Sequence, residues 1–466
     1  MARSVVVVGA GPAGMSAAIA AQARGARVTV VDEAARPGGQ IYRQAHPALK
    51  VGDFAEASER ARKDRLIGAF EHVLDRIDYR AATSAFALFQ TGELHIASGT
   101  QTEVLRPDAI ILTTGVREIA VPFTGWTTPG VMYVGGAQAL LKSQSELAGR
   151  HIVVAGVGPL PIVVAAQILR AGGSVAALAT LNSLRVAGWQ LPALWSGREN
   201  VREGLRYLAT VIRARVPRLT RYVPVRVNGR EQVESVVLAR LDQCGAVMPS
   251  TEREIACDVV AVNYGFTANS ELAAMAGVAM RYDRLRGGWL PVVDAFGRTS
   301  IAGIFAAGDA AGLRGALVAE AEGQVVGAAA AVEPEEIARP GFRAGLAGTL
   351  ATRERLSGFQ SAMQTLLRVP PVLWRLSGDD TIICRCENVT LSALRDALAA
   401  GHLAPNTIKR VTRAGMGWCG GRTCLQAVSA LAELHGAPST AMMTPRPLVR
   451  PIPLASLADQ VAAGRS

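Results

Sequence analysis

Four of the six cysteines form two close pairs in the C-terminal third of the chain. They follow the pattern C-x-C, 32 residues, C-x4-C, at Cys384, Cys386, Cys419 and Cys424. Two such pairs, separated by one helix-sized segment, can converge on a single site made of thiolates. The second pair lies among glycines whose backbone amides are free to approach sulfur, where hydrogen bonds tune a redox potential. The pattern therefore predicts a thiolate-bound metal centre.

Three kinds of site compete for these cysteines. Structural zinc prefers C-x2-C knuckles, which neither pair matches. A reactive dithiol or a set of disulfides is disfavoured because a C-x-C bridge is strained and a reducing compartment opposes it. A 2Fe-2S cluster is the favoured interpretation. The two remaining cysteines, Cys244 and Cys257, are expected to be small apolar core residues.

A glycine-rich turn near the N-terminus predicts a dinucleotide site. The apolar run Val5 to Val8 reads as a buried parallel strand, and an Ala-rich helix ending at Gly25 follows the turn. The turn itself consists of Gly9, Ala10, Gly11, Pro12, Ala13 and Gly14. Its glycines permit a tight bend, close approach of the backbone to a pyrophosphate and close packing of helix on strand. The amides of the helix N-terminus then face the phosphates.

An acidic residue completes this fingerprint. A second strand, Arg27 to Val31, ends at Asp32, which is placed to accept a hydrogen bond from an adenosine ribose hydroxyl. Glu33 is the less favoured candidate for the same role because the faces of a strand alternate. Strand, glycine turn, helix, strand and acid occur in the required order, so we expect a working nucleotide site here.

The same pattern recurs in weaker form after residue 150. A strand, His151 to Ala155, leads into a turn with Gly156 and Gly158, but Pro161 replaces the third glycine. The position that matches Asp32 by its offset from the first glycine is Ala179, so the ribose acceptor is lost. Two interpretations stay open: a strand-helix unit kept for structure, or a pocket that binds a second nucleotide such as ATP or NAD.

Two further strand ends carry residues that suit a sugar-like chain. An apolar strand from Ala109 runs into Thr114 and Gly115, and another from Gly303 runs into Gly308 and Asp309. A Gly-Asp pair there permits close approach and supplies a carboxylate near the N-terminus of the Ala-rich helix that begins at Ala316.

Composition excludes several other classes of protein. The chain has 466 residues, 49 basic and 38 acidic, for a net charge of +11, with no run of five or six like charges. No basic stripe indicates nucleic-acid binding, and no window of 18 residues is apolar enough for a transmembrane segment. We expect a cytoplasmic protein of several domains.

The motifs of residues 1 to about 330 resemble the two-dinucleotide-binding-domain flavoproteins, which include glutathione and thioredoxin reductases. The resemblance rests on Gly9–Gly14, Asp32, the segment Pro37 to Arg43 with Gly39 and Gln40, Thr114-Gly115, and Gly308-Asp309. It implies that the first fingerprint binds the ADP part of FAD and that Asp309 holds the ribityl chain. No redox pair of cysteines lies near Gly39, so disulfide reduction is disfavoured.

The expected fold is therefore α/β, with two Rossmann-like dinucleotide-binding domains and a small α-rich C-terminal 2Fe-2S domain that resembles bacterioferritin-associated ferredoxin. That family commonly ends in C-x2-C, so the longer C-x4-C loop is a departure. We expect an FAD domain (1–120 and 265–332), a degenerate NAD-binding-like insertion (121–264), a helical connector (333–380), the 2Fe-2S domain (381–440) and a proline-rich tail (441–466).

This combination resembles the alpha subunits of heteromeric amine and amino-acid dehydrogenases, such as those acting on opines or D-hydroxyproline, and of hydrogen cyanide synthase. The resemblance implies a partner beta subunit with its own FAD that oxidises a C–N bond, an FMN near the subunit interface in some members, and a downstream electron acceptor. No catalytic acid or base is assigned. The alternatives are a self-contained NAD(P)H-dependent reductase that feeds a ferredoxin-like acceptor, and a scaffold with vestigial cofactors.

Overall fold

Strands from all parts of the chain build several small sheets. The computed structural model describes residues 2–45, 48–49, 52–181, 197–366, 369–438 and 442–456. In chain order the strands are β1 (Ser4–Val8), β2 (Arg27–Val31), β3 (Asp78–Arg80), β4 (Thr83–Leu88), β5 (Leu94–Ser98), β6 (Gln101–Leu105), β7 (Ala109–Leu112), β8 (Val116–Glu118), β9 (Val131–Tyr133), β10 (His151–Gly156), β11 (Ser174–Thr180), β12 (Arg218–Thr220), β13 (Tyr222–Asn228), β14 (Ser235–Arg240), β15 (Arg253–Ala256), β16 (Val259–Asn263), β17 (Phe266–Ala268), β18 (Met280–Asp283), β19 (Gly288–Pro291), β20 (Ile304–Ala306), β21 (Ile382–Cys384) and β22 (Val389–Thr390).

Helices connect the strands of the two main sheets and form most of the C-terminal third. They are α1 (Pro12–Gln22), α2 (Ala57–Glu71), α3 (Val134–Gln144), α4 (Pro159–Arg170), α5 (Arg198–Arg213), α6 (Glu271–Met275), α7 (Ala316–Ala330), α8 (Pro334–Ile337), α9 (Pro340–Gly345), α10 (Ala347–Leu366), α11 (Leu391–Ala399), α12 (Pro405–Thr412) and α13 (Leu425–Leu434). None of these helices has the length and hydrophobicity needed to span a lipid bilayer.

The first main sheet has five parallel strands in the order β20-β7-β1-β2-β3. Its central strand carries four buried valines, Val5 to Val8, because both faces of a parallel sheet are covered. Helix α1 returns the chain from β1 to β2, so the carboxyl end of β1 and the N-terminus of α1 meet at one edge. Nucleotides bind at this edge in open α/β sheets.

Two helices beside this sheet, α1 and α7, pack against each other at unusually short range. A Cβ atom built on Gly323 of α7 would lie 2.1 Å from the carbonyl oxygen of Ala13, and one on Gly327 would lie 2.1 Å from that of Ala17. Glycine at these positions lets the backbones of α1 and α7 touch. The helix that begins after Asp309 is thereby held against the helix that begins after Gly11.

The second main sheet is also parallel, in the order β12-β11-β10-β16-β9. Its strands lie between residues 131 and 263. The chain enters this part through β8 and leaves it through β17, and these two crossings between the main sheets pair with each other antiparallel. Pro159 and Pro161 lie in the first turn of α4, where proline is tolerated because the first amides of a helix have no intrahelical partner.

An irregularity in the pairing of β10 with β11 changes which residue of the second main sheet corresponds to Asp32 at the first. The pairing of β10 with β11 shifts by one residue between Ile152 and Val153, so Gly156 pairs with Thr180. The structural counterpart of Asp32 is therefore Thr180, which lines a cavity, whereas Ala179 is buried. The prediction that Ala179 occupies this position was wrong because the bulge adds one residue to the offset.

The C-terminal module packs around its own apolar core. Helices α11, α12 and α13 and the hairpin of β21 and β22 enclose Leu391, Ile408, Val428, Cys384 and Cys424. Cys257 lies in the core of the second sheet as expected. Cys244 is exposed in the turn after β14, so its expected place in a core was wrong.

Candidate functional site

The glycine turn lies at the junction of β1 and α1. Gly9 has a φ of +108°, a left-handed conformation that glycine adopts without steric cost, and its amide donates to the carbonyl of Val31 at 2.7 Å. A Cβ atom on Gly14 would lie only 1.7 Å from the carbonyl oxygen of Gly9. The first turn of α1 therefore lies directly on the strand, and its residues Pro12 and Ala13 line the cavity.

Asp32 stands beside this turn at the end of β2. Its carboxylate accepts hydrogen bonds from the amides of Ala10 and Ala34, the latter at 2.6 Å. Burial raises the pKa of Asp32, although both amides oppose that shift by stabilising the charged form. The side chain lines the cavity together with Gly11, so it can accept a hydroxyl hydrogen bond from a nucleotide there.

The predicted segment around Gly39 lies over the glycine turn. A Cβ atom on Gly39 would come within 2.9 Å of the Cα of Gly11, so two glycine backbones face each other and leave room for a ligand beside them. Gln40 is exposed, and its side-chain oxygen accepts from the guanidinium of Arg43 at 2.6 Å. Glu33 also lines the cavity, and it pairs with Arg450 of the C-terminal tail at 2.5 Å.

Thr114 and Gly115 follow β7 and join the same cavity. The hydroxyl of Thr114 donates to the carbonyl of Asn269 at 2.6 Å, and the carbonyl of Gly115 accepts from the Asn269 amide at 2.9 Å. These bonds fasten the end of β7 to the segment that follows β17.

Gly308 and Asp309 lie in a short 3-10 turn after β20. One carboxylate oxygen of Asp309 accepts from the amides of Arg314 and Gly315, at 2.8 and 3.0 Å, immediately before α7. The amide of Gly308 donates to buried Glu322 at 3.0 Å. Burial raises the pKa of Asp309, and the two amides work against this shift.

One cavity of about 1700 Å³ is lined by all the residues predicted for the nucleotide site except Gly14 and Gly308. These two glycines pack the turn and the helices behind the cavity. The volume of the cavity exceeds the roughly 300–1,000 Å³ of ordinary small-ligand pockets. A cradle of glycines, the N-terminus of α1 and a carboxylate at each of two strand ends fit an extended dinucleotide such as FAD.

Sequence reasoning missed several polar residues in the wall of this cavity. Glu59 and Lys142 form an ion pair at 3.2 Å, and the hydroxyl of Tyr207 donates to Glu59 at 2.8 Å. Glu118 accepts from the side chain of Asn263 at 2.6 Å, and burial raises its pKa to about 7. These residues come from distant helices and strands, so no local spacing in the sequence could have grouped them.

The four predicted cluster cysteines converge from two segments. Cys384 ends β21 and Cys386 follows it, whereas Cys419 and Cys424 bound the loop before α13. Cys384 is a neighbour of Cys424, and Cys386 is a neighbour of Cys419. The thiol of Cys424 lies 4.0 Å from the carbonyl oxygen of Gly421. Among the residues that the structure describes, no group of three or more potential ligands surrounds one point. The four cysteines supply the number of thiolates that a 2Fe-2S cluster takes.

Backbone amides surround the sulfur atoms. The hydrogen bond with Cys424 and the amides of Gly415, Glu387 and Cys386 lower the pKa of Cys384 to about 6 despite burial. Burial raises the pKa of Cys419, but amides of Thr423 and Gly421 and the Cys386 thiol lower it more. These amides favour the thiolate form of Cys384 and Cys419, the form that ligates iron, whereas burial raises the pKa of Cys386 and the neighbouring Cys384 raises that of Cys424.

The cysteine loop is also part of the cavity wall. Arg422, between Cys419 and Cys424, and Gln426 of α13 both line the cavity that contains Gly11 and Asp32. The side chain of Gln426 donates to the hydroxyl of Thr267 on β17 at 3.0 Å. The two predicted cofactor sites therefore share one boundary.

Comparison with known proteins agrees with this geometry. Residues 3–324 match the family model of pyridine nucleotide-disulphide oxidoreductases, and residues 382–433 match the BFD-like [2Fe-2S] binding domain. An opine oxidase subunit of Agrobacterium tumefaciens is 32% identical, over 91% of this chain and 84% of its own length. Hydrogen cyanide synthase subunit HcnB of Pseudomonas aeruginosa is 29% identical, over 97% of each chain.

A solved structure supports the same architecture. The crystal structure of L-proline dehydrogenase from P. horikoshii aligns with a TM-score of 0.72 at 19% identity, covering 98% of this chain and 79% of that chain. These matches confirm the predicted fold class and the two predicted cofactors, FAD and a 2Fe-2S cluster. The chain belongs to the pyridine nucleotide-disulphide oxidoreductase family; it is homologous to the opine oxidase subunit and carries a BFD-like 2Fe-2S domain at residues 382–433.

Proposed function

We propose that this chain is the electron-transfer subunit of a hetero-oligomeric FAD-dependent dehydrogenase. Its partner, a beta subunit with its own FAD, oxidises the C–N bond of a secondary amine, an opine or an imino acid. The relatives named as subunits of opine oxidase and hydrogen cyanide synthase support this proposal. A downstream acceptor then takes the electrons from this chain.

The observation that carries the proposal is the shared boundary between the two cofactor sites. Arg422 belongs to the cysteine loop and also lines the cavity that holds the glycine turn. FAD accepts two electrons together, whereas a 2Fe-2S cluster passes them singly, so one chain that holds both converts pair transfer to single-electron transfer. The side chains around the cavity bind and orient the cofactor.

The residues proposed to hold FAD are those brought to the cavity and to the turns behind it: Gly9, Gly11, Pro12, Ala13, Gly14, Asp32, Gly39, Gln40, Thr114, Gly115, Gly308 and Asp309. The proposed iron ligands are Cys384, Cys386, Cys419 and Cys424. Glu33 also lines the cavity, with its carboxylate paired to Arg450, and is the less favoured candidate for the ribose hydroxyl. No side chain is assigned as a catalytic acid or base.

The experiment compares the chain alone with the chain co-expressed with its FAD-dependent partner. The chain purified alone under anaerobic conditions should contain FAD, iron and sulfide but should not oxidise amines or opines. The complex should oxidise them and reduce a one-electron dye, and flavin analysis of the complex shows whether FMN is also present. Substrate oxidation by the chain alone, at the rate of the complex, would contradict the proposal.

A self-contained NAD(P)H-dependent reductase is the second candidate function. In the second strand-turn-helix unit, after residue 150, Thr180 occupies the position of Asp32. Its hydroxyl lies in the cavity wall and can form a hydrogen bond with a nucleotide. Stopped-flow mixing of the purified chain with NADH or NADPH distinguishes the two functions. Flavin reduction within milliseconds to seconds favours the reductase, whereas slow reduction by both nucleotides favours the electron-transfer subunit.

A further inference from the structure

The C-terminal segment 442–456, called the strap below, runs from the cysteine module to the first domain. At its start, the amide of Thr444 donates to the side chain of Asn406 on α12 at 3.1 Å, and Met443 is buried against Gly415 and Gly421. At its end, the carbonyl of Ser456 accepts from the hydroxyl of Thr102 on β6 at 2.9 Å. The strap therefore bridges the two parts of the chain that hold the proposed cofactors.

The middle of the strap is fixed on both sides. The amide of Val449 donates to the carbonyl of Phe86 on β4 at 2.9 Å, and the carbonyl of Val449 accepts from the guanidinium of Arg422 at 2.7 Å. Arg422 lies between two of the proposed iron ligands, Cys419 and Cys424. The position of the strap therefore depends on the cysteine loop as well as on the first domain.

The strap also reaches the nucleotide end of the cavity. Val449 and Arg450 line the cavity that contains Asp32, and Arg450 pairs with Glu33 at 2.5 Å. Glu33 directly follows Asp32, the proposed ribose acceptor. Arg450 therefore forms part of the cavity wall beside the place where the adenosine part of the cofactor would bind.

We propose that the strap is part of the FAD site, and that the cysteine loop controls FAD release because Arg422 holds the strap in place. This inference rests on the proposed function, in which Asp32 binds FAD. Release of the nucleotide requires Arg450 and Val449 to move. A loop that is ordered around its cluster keeps Arg422 in place, whereas a loop without its cluster leaves the strap freer to open.

The first test measures FAD release from the full chain, purified anaerobically, as the rise in flavin fluorescence after dilution into flavin-free buffer. Arg450→Ala and Glu33→Gln should each release FAD about threefold to fivefold faster, a range that reflects a half-exposed ion pair. The double variant should be no faster than either single variant, because both remove one interaction. Arg395→Ala is the matched control, since it removes an exposed ion pair with Asp379 that does not line the cavity.

The second test asks whether the cluster acts through Arg422. Removal of iron by a chelator should speed FAD release from the wild-type chain, and it should have no further effect on Arg422→Ala. Release rates that are unchanged in Arg450→Ala, or that rise equally on iron removal in wild type and Arg422→Ala, would overturn the inference. A wild-type chain that never contains FAD would instead contradict the proposed function, so the two failures are distinguishable.

Discussion

The guanidinium of Arg117 donates a hydrogen bond to the main-chain carbonyl of Arg422, at 3.1 Å. Arg117 lies on β8, one of the two crossings between the main sheets, and Arg422 lies inside the cysteine loop. The same guanidinium bonds to the side chain of Asn269 at 2.8 Å and pairs with Glu271 at 2.6 Å. One side chain thus joins the crossing strands, the segment after β17 and the cysteine loop.

Arg117→Ala should loosen the cysteine loop and destabilise the fold. Loss of hydrogen bonds from a charged donor costs about 1.5–3 kcal/mol each when the acceptors stay buried. We expect a lower free energy of unfolding in urea and a changed midpoint potential of the cluster, measured by redox titration with electron paramagnetic resonance. Arg395→Ala, which breaks an exposed pair, should change neither quantity. An unaltered potential in Arg117→Ala would show that this residue does not position the loop.

Asp32→Ala should weaken FAD binding. The carboxylate is the proposed ribose acceptor, and a hydrogen bond to a charged group contributes about 1.5–3 kcal/mol, equivalent to roughly a 10- to 100-fold change in Kd. Flavin content and Kd are measured by fluorescence titration of the deflavinated chain.

Asp108→Ala is the matched control for Asp32→Ala. Asp108 also accepts a hydrogen bond from a main-chain amide, that of Ser4 at 2.7 Å. It lies at the edge of the first sheet opposite to the one that carries Asp32. This variant should keep full flavin affinity. If Asp32→Ala binds FAD as tightly as Asp108→Ala, the assignment of the ribose acceptor is wrong.

Cys419→Ser should abolish the cluster. The hydroxyl of serine is a much weaker iron ligand than a thiolate, so the absorption expected at roughly 420 to 460 nm and the acid-labile sulfide should be lost. Cys244→Ser is the control because it replaces an exposed thiol outside the cysteine module. Equal iron and sulfide contents in the two variants would reject Cys419 as a ligand.

The first glycine unit could be predicted from the sequence because its parts are adjacent in the chain. Gly9, Gly11, Gly14 and Asp32 follow one another through a single strand, helix and strand, and each local requirement is visible in residue type. The two cysteine pairs are equally visible by spacing, and their assignment as iron ligands stays a prediction.

The second glycine unit shows where such reasoning stops. Counting residues from the first glycine assumes that the strand pairing is unbroken. The bulge between Ile152 and Val153 moves the position that corresponds to Asp32 from Ala179 to Thr180. Contacts between distant segments, such as Glu33 with Arg450, leave no periodic signal in a single sequence. The exposure of Cys244 likewise depends on the length of a turn after β14, which residue type does not determine.

Gly323→Ala should separate the two helices that carry the nucleotide site. Its Cβ atom would lie 2.1 Å from the carbonyl oxygen of Ala13, a backbone atom that cannot move without shifting α1. Overpacking of this kind costs about 1–3 kcal/mol, so the midpoint of urea unfolding should fall and FAD should bind more weakly.

Gly358→Ala on α10 is the control for Gly323→Ala. Nothing lies within 4 Å of the added atom, and alanine has the higher helix propensity, so this variant should gain up to about 1 kcal/mol. Equal stability of the two alanine variants would contradict the close helix contact.

Glu118 predicts a pH dependence of stability that one substitution should remove. Burial raises the pKa of this carboxyl from an ordinary 4.5 to about 7 in the folded chain. Between these values the folded state holds a proton that the unfolded state has lost, so the free energy of unfolding falls as pH rises, by at most about 3 kcal/mol in all. Glu118→Gln keeps the shape and cannot ionise, but it keeps only one of the two oxygens that accept from Asn263 and from the amide of Gly135. Between pH 5 and pH 8, Glu118→Gln should therefore lose less free energy of unfolding in urea than the wild type does. Glu103→Gln is the control, because it changes an exposed carboxylate paired with Arg80, and it should behave as the wild type. Identical pH profiles for Glu118→Gln and the wild type would show that this carboxyl is already ionised at the lower pH.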